Sequence, residues 1–123
     1  METLDIGRKL VALCQEGKHQ EAIETFYSDD IVSIEGAAQG EIPARMEGIE
    51  AIKGKNQWWF DNHEVHSSIA EGPYVAENDD RFVVHFSIDV TPHGGERMKM
   101  TEVGIYTVAD GKIVEERFLY NMG

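Results

Sequence analysis

Two glutamates in the last quarter of the chain, Glu102 and Glu116, could form an acid–base pair if one β-hairpin places them on the same face. Residues 98–121 read as two strands rich in Val, Ile, Thr, Tyr and Phe, separated by a turn at Asp110-Gly111. An Asp-Gly pair between two such runs is a strong hairpin signal. Because side chains alternate between the faces of a strand, the register decides whether the two carboxylates meet.

Two registers are open for this hairpin. With a two-residue turn, Glu102 lies opposite Leu119 and faces away from Glu116. With a three-residue loop that ends in a left-handed glycine and a bulge, Glu102 lies opposite Phe118 and Glu116 lies opposite Gly104, where a missing side chain leaves room. We favour the second register, which makes the glutamates diagonal neighbours. Their face then also carries Met98, Met100, Tyr106, Val114, Phe118 and Tyr120.

Two partly buried carboxylates that lie close together do not both ionise readily. One of them then holds a proton and can donate a hydrogen bond to a developing oxyanion. The alternative is structural: both glutamates are solvated strand residues, or one pairs with Arg45 or Arg117 at a rim. The methionines and aromatic residues on the same face suit either a plain core or the lining of an apolar cavity.

The formal net charge is -12, from 23 acidic and 11 basic residues, which disfavours nucleic acid and anionic membranes as partners. The one cysteine, Cys14, excludes an internal disulfide and is expected to be a small buried residue. No apolar run approaches ~18 residues, and the start of the chain is amphipathic and charged. We therefore expect neither a signal peptide nor a membrane span, and a cytoplasmic location.

The histidines have no metal-ligand spacing beyond His63-Glu64-Val65-His66, which is a weak signal where a helix gives way to a strand. We predict no metal site and no cofactor, because phosphate-binding and dinucleotide motifs are also missing from the sequence. His66 is either a surface residue or a polar residue of a pocket. Trp58 and Trp59 are adjacent and therefore point apart, so that one is expected in the core and the other in the lining of the cavity or at its rim.

Hydrophobic periodicity places three helices before most of the strands. Thr3 can cap a first helix that Gly17 ends, and a second helix is broken at Ser28-Asp29-Asp30. Residues 31–35 read as a short strand, and a third helix runs from Gly48 to about Asn62. The period then changes to two, with strands at 64–75 and 81–91 followed by the hairpin.

This order predicts one α+β domain over residues 1–123, with helices covering one face of an antiparallel sheet. In the strand at 81–91, Phe82, Val84, Phe86, Ile88 and Val90 are expected to face the helices. The alternating residues His85, Ser87 and Asp89 are expected on the outer face, which is open to solvent or to a second subunit.

The order of elements, with the segments SDDIVSIEG at 28–36 and DGKIVEERFLY at 110–120, resembles the NTF2-like superfamily and more closely its SnoaL-like branch. The resemblance implies a cone-shaped, cystatin-like fold in which three N-terminal helices pack on a curved, mostly antiparallel sheet around a cavity. It also implies a homodimer through the outer face of the sheet. The members of the superfamily include ketosteroid isomerases, polyketide cyclases and dehydratases, so the fold alone does not give the function.

The same resemblance assigns positions to a possible site. The isomerase segment that carries the general-base aspartate matches residues 28–35 without a gap, which puts Glu35 at the base position. The isomerase tyrosine on the first helix falls near Leu10, which cannot donate a hydrogen bond. The protonated aspartate falls at Val103, or at Glu102 if the hairpin loop is one residue longer. In the comparison with the cyclases, Asn121 stands in the tail, where an amide cannot shuttle a proton.

We therefore predict a cofactor-independent isomerase, cyclase or dehydratase that acts on an apolar or carbonyl-containing small molecule. Glu35 is the expected base, and Glu102 and Glu116 are the expected acid or oxyanion-stabilising pair. The residues expected to contact substrate are Trp59, His66, Met100, Tyr106, Phe118 and Tyr120. The alternatives are a non-catalytic ligand-binding or dimerisation module of the same fold, and a structural dimer whose concave face is filled by its own side chains.

Overall fold

The computed structural model describes residues 2–38, 42–76 and 79–120. Within these ranges the chain forms three helices and six strands that make one sheet in the order β2-β1-β6-β5-β4-β3. Among the described strands, only β1 and β6 run parallel. The elements are α1 (Thr3–Gln15), α2 (His19–Phe26), β1 (Tyr27–Ile34), β2 (Arg45–Glu47), α3 (Ile49–Asp61), β3 (His63–Tyr74), β4 (Arg81–Pro92), β5 (Met98–Ala109) and β6 (Lys112–Leu119).

The predicted α+β class is confirmed, with helices against a mostly antiparallel sheet. Two of the three helices precede the first strand, whereas α3 follows the short strand β2. Helix α1 packs on β3 and β4, and α3 packs on β1 and β3. Asn121 of the tail lies outside the described residues.

The ends of α1 bear out one sequence prediction and contradict another. Thr3 does not cap the helix, because the N-cap is Glu2 and no side chain caps it. Gly17 does end it, with a positive φ of 75°. The Gly17 N–H donates to the Cys14 carbonyl at 3.1 Å and the Lys18 N–H donates to the Leu13 carbonyl at 2.8 Å. These two bonds satisfy carbonyls that the helix end leaves open.

Strand β1 begins four residues earlier than the sequence pattern predicts, at Tyr27 instead of Ile31. Tyr27 pairs with Ile113 of β6, and an irregularity before Val32 shifts the register. Because the alternation of side chains is broken there, the period-two pattern does not extend over the first half of the strand. The three-residue strand β2 was not predicted, because so short a segment has no periodicity to detect.

Strand β4 presents the faces that its alternation predicts. Phe82, Val84 and Val90 are fully buried and Phe86 is nearly so. Phe82, Val84 and Phe86 belong to the core beneath the helices. Cys14, which is buried as predicted, belongs to the same core. The core also contains these residues from the helices and from β1: Ile6, Leu10, Ala22, Ile23, Phe26, Tyr27, Ile31 and Ile52.

The C-terminal hairpin combines the turn of one predicted register with the faces of the other. Asp110 and Gly111 both have positive φ, 52° and 77°, and form a two-residue turn between Ala109 and Lys112. A bulge then adds Val114 to β6, so that Thr107 pairs with Glu115 and not with Val114. The extra residue inverts the faces of the rest of β6.

As a result, Glu102 and Glu116 share a face, as predicted, although the predicted partners are wrong. Glu116 lies opposite Tyr106, and Phe118 lies opposite Gly104. Glu102 and Glu116 are therefore not diagonal neighbours, because Tyr106 is four residues from Glu102 along β5. Ile113, which is fully buried, takes the inward position expected for Val114.

Gly104 makes room for aromatic rings and not for a glutamate. A Cβ atom at this position would lie 2.9 Å from Cε2 of Tyr106 and 3.2 Å from Cε1 of Phe118. The Phe118 ring meets the Tyr106 ring edge-on, with 6.2 Å between centroids, and the Tyr106 ring stacks on Phe82 at 4.8 Å. Because Gly104 has no side chain, the rings of Tyr106 and Phe118 can pack over its backbone in the middle of the hairpin.

Candidate active site

A cavity of about 320 Å³ lies between the helices and the inner face of the sheet. The three glutamates predicted to do chemistry, Glu35, Glu102 and Glu116, all border it. Five of the six residues predicted to contact substrate also border it: Trp59, Met100, Tyr106, Phe118 and Tyr120. The hypothesis that the concave face is filled by its own side chains is therefore wrong.

The structure places the sixth predicted contact, His66, outside the cavity lining. Its side chain is exposed, and Nε2 lies 2.7 Å from Oγ1 of Thr91 on β4. The register of β3 shifts between Val65 and Ser67, so that His66 leaves the alternation that puts Val65 and Ser68 in the cavity wall. His66 therefore does not border the cavity that its predicted contact with substrate requires.

Trp58 and Trp59 at the end of α3 both border the cavity, and both are half-buried. The prediction that one of them belongs to the core is wrong. Trp59 stacks on the ring of His63 with 4.4 Å between centroids, and Trp58 meets the same ring edge-on at 6.1 Å. These rings give the cavity an aromatic wall on the helix side.

Glu116 is buried on β6, with 3% of its surface exposed. Its Oε1 accepts a hydrogen bond from the Tyr27 hydroxyl, and its Oε2 accepts one from Ser33 Oγ at 2.9 Å. Burial raises the pKa of Glu116, and the nearby Lys55 ammonium and these two hydrogen bonds oppose that rise. Both carboxylate oxygens therefore already have protein donors.

Glu35 follows β1 and is held by two side chains. Lys55 Nζ lies 2.9 Å from Glu35 Oε1, and the Tyr120 hydroxyl donates to Glu35 Oε2 at 3.2 Å. The side chains of Lys55 and Glu35 are only 12% and 13% exposed. Ion pairs this far from solvent are screened little by salt and are costly to break from one side.

Lys55 connects the two acidic groups. Its ammonium also donates to Ser33 Oγ, and it lies 3.6 Å from Glu116 Oε2. It therefore touches Glu35, Ser33 and Glu116 at once. The cation neutralises part of a cluster that would otherwise place several carboxylates together at low dielectric.

Glu102 differs from the other two glutamates, because no hydrogen bond or ion pair involves its carboxyl group within the part of the chain that the structure describes. Burial, followed by the negative charges of Glu35 and Glu116, raises the pKa of Glu102 from 4.5 to about 7, while Lys55 opposes the rise. Glu102 is thus a carboxyl group in the cavity wall whose protonation changes near neutral pH. Groups of this kind concentrate at functional sites.

Sequence reasoning missed Lys55, Ser33 and Tyr27. Ser33 shares the inward face of β1 with Ile31, and Lys55 is one helical turn from the buried Ile52, so both positions were readable from periodicity. They were passed over because a lysine and a serine suggest a solvated surface unless a buried acid is expected beside them.

The predicted rim pairs are also absent from the described residues. Arg45 pairs with Glu47, and Arg117 pairs with Glu115. The alternative that Glu102 or Glu116 is neutralised by an arginine is therefore wrong.

In residues 2–38, 42–76 and 79–120, no group of three or more His, Cys, Asp or Glu side chains is placed to hold a metal ion. In the same ranges, no helix combines the length and the apolar character that crossing a bilayer requires.

Comparison with known proteins places this arrangement in a family. A protein-family model for the SnoaL-like domain matches residues 1–120. A proposed SnoaL-like polyketide cyclase from Mesorhizobium loti is 45% identical, with a TM-score of 0.90, and the match covers 98% of this chain and 100% of that one. A comparison with curated proteins gives no significant match.

More distant solved structures share the fold. A proposed isomerase from Bacillus subtilis is 21% identical with a TM-score of 0.78, covering 98% of this chain and 90% of that one. A protein from Catenulispora acidiphila with a ketosteroid isomerase-like fold, solved with trimethylamine, is 20% identical with a TM-score of 0.74, covering 98% and 88%. The match over residues 1–120 and the 45% identical relative show that the chain belongs to the SnoaL-like family.

Proposed function

We propose that the protein is a cofactor-independent enzyme that moves a proton on an apolar carbonyl compound, with Glu102 as the group that exchanges the proton. The observation that carries the proposal is the state of Glu102: it borders the cavity, has no partner among the described residues, and has a pKa raised to about 7. A general acid or base works best when its pKa is near the working pH.

The proposed step is enolisation. The Glu102 carboxylate removes a proton from the carbon next to the carbonyl group. The electron pair of the broken C–H bond forms a C=C bond to the carbonyl carbon, and the π pair of the C=O bond moves to the oxygen as the enolate charge. Glu102 then returns the proton to the same or another carbon, which completes an exchange or an isomerisation. The charge of Lys55, which borders the same cavity, favours the negative charge that develops on the oxygen.

Glu35 and Glu116 have supporting parts in this proposal. Removal of a substrate proton by Glu35 would compete with its bonds from Lys55 and Tyr120. Glu116 has donors on both oxygens and is almost fully enclosed. Neither glutamate has an oxygen free of protein donors. The negative charges of Glu35 and Glu116 instead raise the pKa of Glu102.

The cavity lining supports an apolar substrate. Phe86, Ile88, Met98 and Met100 line it from the sheet, opposite the tryptophans of α3. An apolar wall with a few polar groups at one position is the usual design of a small-molecule site. The proposed isomerases and cyclases among the similar structures are consistent with this reaction class.

A deuterium-exchange experiment tests the proposal. We expect the protein to speed the exchange of α-protons of 2-tetralone in D₂O, followed by loss of their ¹H NMR signals, and E102Q to slow this at least about 100-fold. The matched control is E96Q, which changes an exposed glutamate and should keep the wild-type rate. Equal rates for wild type and E102Q would contradict the assignment of Glu102.

The second candidate is a ligand-binding protein without catalysis. The observation that favours it is the largely aromatic and aliphatic lining, which binds an apolar molecule without any proton transfer. In this case 2-tetralone binds to wild type and to E102Q, and neither protein exchanges its α-protons above the rate in buffer.

We also propose a homodimer through the outer face of the sheet. Cross-strand pairs put Val103 beside Leu119 and Val83 beside Ile105 and Tyr74 on that face. Tyr74 is 57% exposed and Leu119 is 51% exposed. Exposed apolar side chains on a sheet face are typical of an interface, and a second copy of the chain offers the same residues by twofold symmetry.

A further inference from the structure

His63 begins β3 and borders the cavity. Its Nδ1 lies 2.7 Å from the carbonyl oxygen of Trp59. A carbonyl oxygen can only accept a hydrogen bond, so Nδ1 must carry the hydrogen and donate it. In the neutral ring, Nε2 is then unprotonated and can only accept.

The ring is fixed in place by the end of α3. The Trp59 ring lies nearly parallel to it, at an angle of 10°, and Trp58 packs against its edge. The neighbouring Asn62 side chain donates to the Trp58 carbonyl at 2.8 Å, so two carbonyls at the end of the helix are satisfied by the side chains of Asn62 and His63. A polar group held this firmly loses little freedom when a ligand binds.

Nε2 of His63 has no hydrogen-bond partner within residues 2–38, 42–76 and 79–120. No protein group in these ranges therefore competes with a ligand for this nitrogen. The carboxylates of Glu35 and Glu116, by contrast, already have protein donors on their oxygens. His63 thus presents the cavity with an acceptor that is separate from the acidic cluster.

We infer that His63 determines specificity by accepting a hydrogen bond at Nε2 from a hydroxyl group of the ligand. The inference rests on the proposed function in one respect, that the cavity takes a small apolar molecule, and it does not require catalysis. The ligand class is an apolar ring compound that carries a hydroxyl group. An ether at the same position cannot donate and is disfavoured.

A matched pair of probes, 2-naphthol and 2-methoxynaphthalene, tests this inference by calorimetric titration of the whole chain. We expect wild type to bind 2-naphthol about tenfold more tightly, the effect of one hydrogen bond. H63F keeps a flat ring against Trp59 and should lose this preference while it still binds the ether. H66F, which changes the exposed histidine, should keep it.

Three results would overturn the inference: equal binding of the two probes by wild type, no binding of either, or a preference that survives in H63F. A preference that disappears in E102Q but not in H63F would assign the hydroxyl to Glu102 instead. The tautomer gives a test without ligand: ¹⁵N NMR should show the hydrogen on Nδ1 of His63, and a hydrogen on Nε2 in the neutral ring would refute the assignment. Binding with the expected preference but without deuterium exchange would overturn only the proposed function.

Discussion

Lys55 and Glu35 form an ion pair of 2.9 Å in the wall of the cavity, with both side chains nearly enclosed. Glu35 is the residue that the family resemblance puts at the position of a general base, and here it is paired with a cation. In the proposed function, the acid–base role therefore belongs to Glu102, which has no such partner within the described residues. Lys55 also lies 3.6 Å from Glu116, so one cation balances two carboxylates.

The first prediction concerns this cation. K55M leaves Glu35 and Glu116 without their positive neighbour, and we expect it to lower the free energy of unfolding by about 3 kcal/mol. It should also raise the pKa of Glu102 above its wild-type value of about 7, because Lys55 opposes the rise. Urea unfolding measures the first effect, and a ¹³C NMR titration of the glutamate carboxyl groups measures the second.

Lys53 provides the control for this substitution on the same helix. Its ion pairs with Glu24 and Glu50 are 3.5 Å and 3.8 Å long, and both partners are largely exposed. K53M should therefore change the free energy of unfolding by less than about 1 kcal/mol. If K55M and K53M cost the same, the cluster around Lys55 does not have the enclosed character described above.

The second prediction concerns the pH dependence of stability. The pKa of Glu102 is raised from 4.5 to about 7, so the folded protein keeps a proton that the unfolded chain releases in this range. The stability that this proton contributes is present below about pH 4.5 and is lost as the pH rises through 7. The whole shift corresponds to about 3 kcal/mol.

E102Q cannot ionise and does not lose this contribution. We expect the free energy of unfolding of E102Q, relative to wild type, to rise by about 3 kcal/mol between about pH 4.5 and pH 8. Urea unfolding at several pH values measures the difference, and E96Q should show no such change. A constant difference between E102Q and wild type would mean that Glu102 ionises in the folded protein as it does in the unfolded chain.

The third prediction concerns the outer face of the sheet. L119E places a charge in the apolar patch formed with Val103, and we expect it to convert a homodimer to a monomer. Light scattering after size exclusion, at micromolar concentration, measures the mass. L4E changes another exposed leucine, on α1, and should leave the dimer intact. A wild-type monomer at this concentration would contradict the proposed interface.

How far the sequence predicts this structure depends on how local each signal is. The Asp110-Gly111 turn and the inward face of β4 follow from local residue types and were predicted. The bulge at Val114 has no local signature, because an extra valine in a valine- and isoleucine-rich strand looks like its neighbours. The register, and hence the face of Glu116, was therefore open until the structure showed where the extra residue lies.

The site was predictable in part for a similar reason. Strand alternation and the family resemblance predict that Glu35, Glu102 and Glu116 face one cavity, and all three border it. The partners that distinguish these glutamates come from other elements: Lys55 from α3 and Tyr27 from the start of β1. Such contacts depend on how the helix packs on the sheet, and this cannot be read from one segment alone.

The last prediction concerns the turn that sets the hairpin. G111A forces a side chain into a left-handed conformation, with φ at 77°, which costs about 1 kcal/mol.

Gly54 is the matched control, because it lies in α3, is exposed, and a Cβ there would meet nothing within 4 Å. G54A should instead raise the free energy of unfolding by up to about 1 kcal/mol. Opposite signs for the two glycine-to-alanine changes, measured by urea unfolding, are expected because helix propensity favours alanine at position 54 and the left-handed turn excludes it at 111. If G111A were neutral, the two-residue turn would not be the conformation that precedes the bulge, and the face assigned to Glu116 would lose its support.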